Sequence, residues 1–169
     1  LFSKSRGSDN KELLENLSKL PETEEEVLEI SKNFIKSNIF VGQNATEDNL
    51  KKFLGNASNN AQILSFATHA FSDITNYTRE HGLAFSPPLS SDSLNDGFLT
   101  SQEIRKLNLN DSIIILSACD TDKPLMITQD SYSGFIRSFI EAGAKTILYT
   151  SWDIDSKSAQ VFMTETFKA

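Results

Sequence analysis

Apolar residues along this chain follow two rhythms. Ile113-Ile114-Ile115-Leu116 is an unbroken run without polar alternation, which predicts a strand buried on both faces, the usual state in a parallel sheet covered by helices. Gln62 to Ala67 and Lys145 to Tyr149 read as two more strands of this kind. His81 to Phe85 is a shorter one, stopped by Ser86-Pro87-Pro88. Between the strands the spacing turns helical, at Leu13, Leu14, Leu17 and Leu20, at Val27, Ile30 and Phe34, and at Leu50, Phe53 and Leu54. Tyr132 to Ala142 is predicted to bury Phe135, Ile136, Phe139 and Ile140, and a last helix carries Val161, Phe162 and Phe167. Strands alternating with helices predict one α/β domain around a mostly parallel sheet.

Capping residues mark the boundaries. Pro21 ends the first helix, and Thr23 with Glu26 three residues on reads as a capping box for the second. The acidic run Glu22, Glu24, Glu25, Glu26 is then a solvated helix start, favoured by the helix dipole. Ile39 to Val41 reads as a short strand or extended connection closed by Gly42, Asn44 to Thr46 as an N-cap, and Gly55 and Gly143 as C-caps. Asp96-Gly97 turns into Phe98-Leu99, Thr100 with Glu103 is a second capping box, and Asp155 caps the last helix.

Composition narrows the class. The chain has 169 residues, 38% of them hydrophobic, enough for one domain with a sizeable core. A net charge of -7 without clustered Lys or Arg argues against direct nucleic-acid binding. The single cysteine, Cys119, excludes a disulfide within the chain and points to a reducing, cytoplasmic setting, where the Asn44-Ala45-Thr46 sequon has no meaning. No apolar run approaches the roughly 18 residues of a membrane span. The chain starts without Met and stops within a helical pattern, so residues 1–169 are expected to be one domain clipped at both ends from a longer protein.

Cys119 follows the Ile113 to Leu116 run, and His69 follows the Gln62 to Ala67 run. Ligands bind at the carboxyl ends of such strands. If the two strands are neighbours, their ends share a rim about 5 Å apart, and His69 and Cys119 can meet. A thiol attacks a carbonyl carbon as thiolate and needs a base nearby. In that reading Cys119 attacks a peptide carbonyl, His69 carries the proton to the leaving amine, and the N–H groups of Cys119 and Ala70 form the oxyanion hole. Spacing alone favours plainer roles, a small core hydrophobe for Cys119 and a hydrogen-bonded structural residue for His69. His81, ahead of a turn glycine, is a weaker candidate. One Cys and two His without short ligand spacing make no zinc signature, so no metal and no cofactor is expected.

Five stretches occur in order: Phe66-Ala67-Thr68-His69-Ala70, Asp96-Gly97-Phe98-Leu99-Thr100, Leu116-Ser117-Ala118-Cys119-Asp120-Thr121, Phe139-Ile140-Glu141-Ala142-Gly143-Ala144 and Ser151-Trp152-Asp153. Together they resemble the signature stretches of the CHAT domain. Leu20-Pro21 with Glu26, and the Gly42 to Thr46 turn, resemble that family's less specific amino-terminal half, so the resemblance covers nearly the whole chain. It implies a caspase-like three-layer α/β sandwich with a mostly parallel central sheet flanked by helices. It also implies a cysteine endopeptidase acting on a protein substrate through a His69/Cys119 dyad, with the histidine acting mainly on the scissile amide. Members commonly carry tetratricopeptide or other repeats upstream, and some act in bacterial antiviral defence as partners of RNA-guided effectors. Two positions depart from the family pattern. Ala70 stands where Gly is frequent, and a left-handed backbone there would be strained; Asp130 stands where Glu is usual. Asp73, Asp120, Asp130 and Trp152 are the candidate substrate-binding residues, with Asp130 or Asp73 favouring a basic residue on the amino side of the cleaved bond. The rivals are a catalytically silent, protease-shaped interaction module and another thiol acyltransferase on an α/β sheet.

Overall fold

The apolar run at Ile113–Leu116 forms β5, the middle strand of a three-stranded parallel sheet in the order β1-β5-β6, with β1 at Ile63–Phe66 and β6 at Thr146–Tyr149. The computed structural model describes residues 14, 16, 17, 19–56, 61–72, 81–88, 95–109, 111–117, 129–149 and 156–168, with the backbone alone at 72, 129–132 and 156. Register is tight: Ile63 lies opposite Ile113 and Phe66 opposite Leu116, and Ile113 to Leu116 stand against Thr146 to Tyr149.

The pleat sends alternate residues of β5 to opposite layers. Ile115 joins Ile30, Met163, Ile63 and Phe167 under helices α1 (Pro21–Ser31) and α5 (Ser156–Thr166). Ile114 and Leu116 face the larger core, which holds Leu50 of α2 (Glu47–Gly55) and Phe135 and Phe139 of α4 (Gln129–Glu141). Burying a side chain such as Phe139 contributes about 1.5–3 kcal/mol, which is why the unalternated run is legible as a strand covered on both sides. The mixed α/β fold, a parallel sheet with helices on both faces, agrees with the caspase-like sandwich expected from the sequence.

A second, antiparallel sheet closes the larger core. Its order is β2-β3-β4, with β2 at Ala70–Ser72, β3 at His81–Ala84 and β4 at Phe98–Thr100. Gly82 lies in β3 and is no turn residue; an added Cβ would lie 2.3 Å from the Leu99 carbonyl oxygen and 2.6 Å from Phe71 Cζ. Beyond β4, α3 (Ser101–Ile104) opens with the expected capping box of Thr100 and Glu103.

Several local expectations are corrected. Thr23 does not cap α1: Leu20 is the N-cap, Pro21 begins the helix instead of ending the previous one, and the Thr23 hydroxyl donates to the Leu20 carbonyl at 2.7 Å. Proline suits the first helical position, where its missing N–H has no partner to lose. Of the two expectations for Ile39 to Val41, the connection holds and the strand does not; α2 ends on Asn56 with Gly55 as its last helical residue, and its N-cap is Thr46, whose hydroxyl accepts from the Asn49 N–H at 3.2 Å. Ile140 is exposed: among the described side chains of α4, Phe135, Ser138 and Phe139 are the ones turned fully inward. Gly143 does end α4: at φ 99° it allows the Ala144 N–H to reach the Phe139 carbonyl at 3.0 Å and its own N–H the Ile140 carbonyl at 3.0 Å, the paired bonds of a Schellman turn. From there Lys145 N–H donates to the Ser112 carbonyl at 2.9 Å, which sets β6 beside β5.

Candidate active site

The carboxyl ends of β1 and β5 lie side by side. Phe66 pairs with Leu116, and the pairing runs one step further, with the Ser117 N–H donating to the Phe66 carbonyl at 2.9 Å. His69 comes three residues after Phe66, and Cys119 three residues after Leu116, by chain count. Cys119 itself lies outside the described residues, as do Asp73, Asp120, Trp152 and Asp155, and the Asp130 side chain does too.

His69 is half-buried, and its backbone and the preceding Thr68 side chain are both tied to Ala84 of β3. The Ala84 N–H donates to the His69 carbonyl at 2.9 Å, while the Thr68 hydroxyl donates to the Ala84 carbonyl. The strand that begins at Ala70 therefore leaves the parallel sheet and continues in the second one. Ala70 stands opposite Leu83. Because the Ala84 N–H bonds the residue before it, Ala70 occupies a non-hydrogen-bonded position, and its own N–H points away from β3. Its backbone is ordinary strand, and among the described non-glycine residues only Asp111 has a positive φ. Alanine at this position is thus without the strain that a left-handed conformation would bring.

His81, the other histidine, is buried in β3. Its Nε2 has no hydrogen-bond partner, and burial holds its pKa below the usual histidine value. Its carbonyl accepts from the Ser101 hydroxyl at 2.9 Å, tying β3 to α3.

Two acidic residues are buried, and one of them, Glu26, was expected at a solvated helix start. Glu26 of α1 is 1% exposed, and its Oε2 accepts from the Ser117 hydroxyl at 3.2 Å while its Oε1 has no partner. Desolvation pushes its carboxyl up to about 7, with the Ser117 hydrogen bond pulling the other way. The signal for this was present: Glu26 lies four residues ahead of Ile30, on the buried stripe of α1. Glu47 of α2 is equally buried. Its Oε2 accepts from the Gly97 N–H at 3.1 Å, and it shares the Lys51 ammonium with Glu103, which lies 3.1 Å from that nitrogen. Burial and the Glu103 charge push Glu47 up to about 7, whereas Glu103, held by the Thr100 N–H and by Lys51, goes down. This network joins α2 to the Asp96-Gly97 turn and to α3, behind the second sheet.

Among the described residues, no group of three or more His, Cys, Asp or Glu side chains could hold a metal ion. Among the same residues, no helix is long and apolar enough to cross a membrane.

No curated protein and no solved structure matches the chain. The family model of the CHAT domain matches residues 3–169, nearly the whole sequence, including the His69 and Cys119 stretches at the two adjacent strand ends. The chain therefore belongs to the CHAT domain family, a family of caspase-like peptidases.

Proposed function

We propose that this domain is a cysteine endopeptidase in which Cys119 is the nucleophile and His69 the proton carrier. The observation that carries the reading is the register of β1 on β5: His69 and Cys119 follow adjacent parallel strands at the same three-residue offset from the paired Phe66 and Leu116. In the reaction, Cys119 Sγ bonds the scissile carbonyl carbon, the carbonyl oxygen gains charge against the Ala70 N–H, and His69 delivers a proton to the departing amine. Water then hydrolyses the thioester and regenerates the thiol. The outward N–H of Ala70 suits the oxyanion role. Asp73, Asp120, Asp130 and Trp152 line the substrate in this reading, with a protein partner or upstream repeats regulating the domain and a setting in the cytoplasm.

The test is digestion of a peptide library by the wild-type protein and by Cys119→Ala and His69→Ala. Cleavage at defined sites, lost in both variants, is the expected result. A protein that leaves the library intact alone and with its full-length flanking regions, or cleavage that survives Cys119→Ala, overturns the reading. Equal cleavage after Arg and after Asp removes the acidic pocket of Asp73 and Asp130 while leaving the peptidase.

A further inference from the structure

A buried carboxylate needs a reason, since removing its charge from water costs more than one hydrogen bond returns. Among the described residues, Glu26 has a single hydrogen-bond partner, Ser117. Ser117 is the first residue beyond β5, is 5% exposed, and its N–H closes the last bond between β5 and β1 at the active rim. Ile30, one turn further along α1, belongs to the cluster of Ile115, so α1 runs against β5 and carries Glu26 to the carboxyl end of that strand. Among the described residues, no ionic partner is at hand from the elements around it. On α1 itself Glu24 and Glu25 are exposed, and Glu22 and Glu29 are half-buried, Glu29 bonding Lys32; β1 offers Ser65 and the residue after β5 is Ser117; and the described charges of α5 and the residues after it, Lys157, Glu165 and Lys168, are all exposed, Lys168 pairing with Glu165.

We propose that Glu26 is a positioning residue: through the Ser117 hydroxyl it sets the carboxyl end of β5, and so the reactivity of the thiol two residues further along the chain. The inference rests on the reading of Cys119 as nucleophile and names a residue of α1 that acts on it through Ser117. Glu26 touches no substrate. Its carboxylate accepts the Ser117 proton and so fixes the direction of that hydroxyl; its protonated form can donate instead, which frees the serine hydroxyl to turn. Since Glu26 ionises near pH 7, the rim is more firmly held above neutrality than below it.

The experiment measures the rate of iodoacetamide reaction with Cys119, the only thiol in the chain, between about pH 5 and 9, a range that brackets the usual His and Cys pKa values. The proteins are wild type, Glu26→Gln, Glu26→Leu, Ser117→Ala and the Glu26→Leu/Ser117→Ala double variant. The expected result is a change of about tenfold in Glu26→Leu and in Ser117→Ala, in the same direction, with the double variant no further changed than either single one, the mark of two residues acting as a unit. Glu26→Gln, whose amide oxygen still accepts the Ser117 hydroxyl, keeps a wild-type rate above neutrality and loses the wild-type break near pH 7. Equal rates in all five proteins, or effects of the two single changes that simply add, overturn the proposal. Should Glu26→Leu fail to fold, Ser117→Ala and Glu26→Gln decide it by the same criteria. His69→Ala in the same assay separates the two readings: a profile that ignores His69 but follows Glu26 and Ser117 strikes at the dyad alone, and the reverse strikes at Glu26 alone.

Discussion

Gly82→Ala puts the packing of the second sheet to a quantitative test, because two effects of opposite sign compete there. Alanine restricts the unfolded chain, which by itself stabilises a strand position by about 0.4–1 kcal/mol. Against this, the new Cβ would lie 2.3 Å from the Leu99 carbonyl oxygen and 2.6 and 2.7 Å from Phe71 Cζ and Cε1, whereas ordinary contacts begin at about 3.3–3.5 Å. Neither neighbour can retreat. Leu99 is paired to Leu83 in the ladder, and Phe71 is held edge-on by Phe98 with ring centroids 4.7 Å apart. Overpacking of this sort costs about 1–3 kcal/mol, and an overlap near 1 Å with a backbone atom belongs at the upper end. The net loss is then about 2 kcal/mol, or a fall in Tm of about 4–8 °C for a chain of this size. Gly134→Ala is the matched control. Gly134 lies inside α4 with nothing within 4 Å of its added Cβ, so alanine there gains about 1 kcal/mol of helix propensity. Thermal melts of the three proteins by circular dichroism read both signs at once. A Gly82→Ala protein as stable as wild type would refute the packing argument. Because the strand of Gly82 also clamps His69 through Ala84, library cleavage by Gly82→Ala is expected to fall as well, at a temperature where the variant is still folded.

Other consequences follow from single residues. The folded pKa of Glu26 lies near 7, above the usual 4.5, so the native state binds that proton more tightly than the unfolded chain; the stability this gives is complete below about pH 4.5 and is lost as pH rises through 7. Urea denaturation of Glu26→Gln should therefore match wild type near pH 4.5 and exceed it above pH 8, by at most about 3 kcal/mol. A wild-type excess above pH 8 contradicts the buried carboxyl. Glu47 has the same direction of shift, so wild-type stability keeps part of its pH slope in Glu26→Gln. Phe139→Ala removes a fully buried ring that meets Phe66 at 6.2 Å and Phe135 at 5.3 Å; its urea midpoint should drop by the equivalent of about 3–5 kcal/mol with an unchanged slope. Thr100→Ala loses the capping box of α3 and should cost about 1 kcal/mol in the same assay, with Thr100→Ser restoring most of it.

The order of strands and helices was readable from the chain because the physics behind it is local. Ile114 to Leu116 are buried because both faces of β5 are covered, with Ile113 exposed at its start; Gly143 supplies the positive φ that a Schellman turn needs, and Thr100 with Glu103 satisfies its own helix start. The pairing of β1 with β5 was a conditional in the sequence and became a register in the structure, because hydrogen bonds between residues some fifty positions apart leave no local trace. Side-chain destinations were decided by tertiary packing alone. Thr23 and Glu26 fit a capping box by spacing, yet Pro21 starts the helix earlier and α1 turns Glu26 inward to Ser117, a contact across 91 residues. Gly82 looked like a turn residue until Phe71 and Leu99 closed over it, and Ile140 looked buried until α4 offered the sheet a narrower face. The sequence by itself determined which segments must be strands or helices, since apolar period and capping chemistry act within a few residues. Which carboxyl lies against the carboxyl end of β5, and which glycine has no room for a methyl group, only the folded packing of distant segments decided.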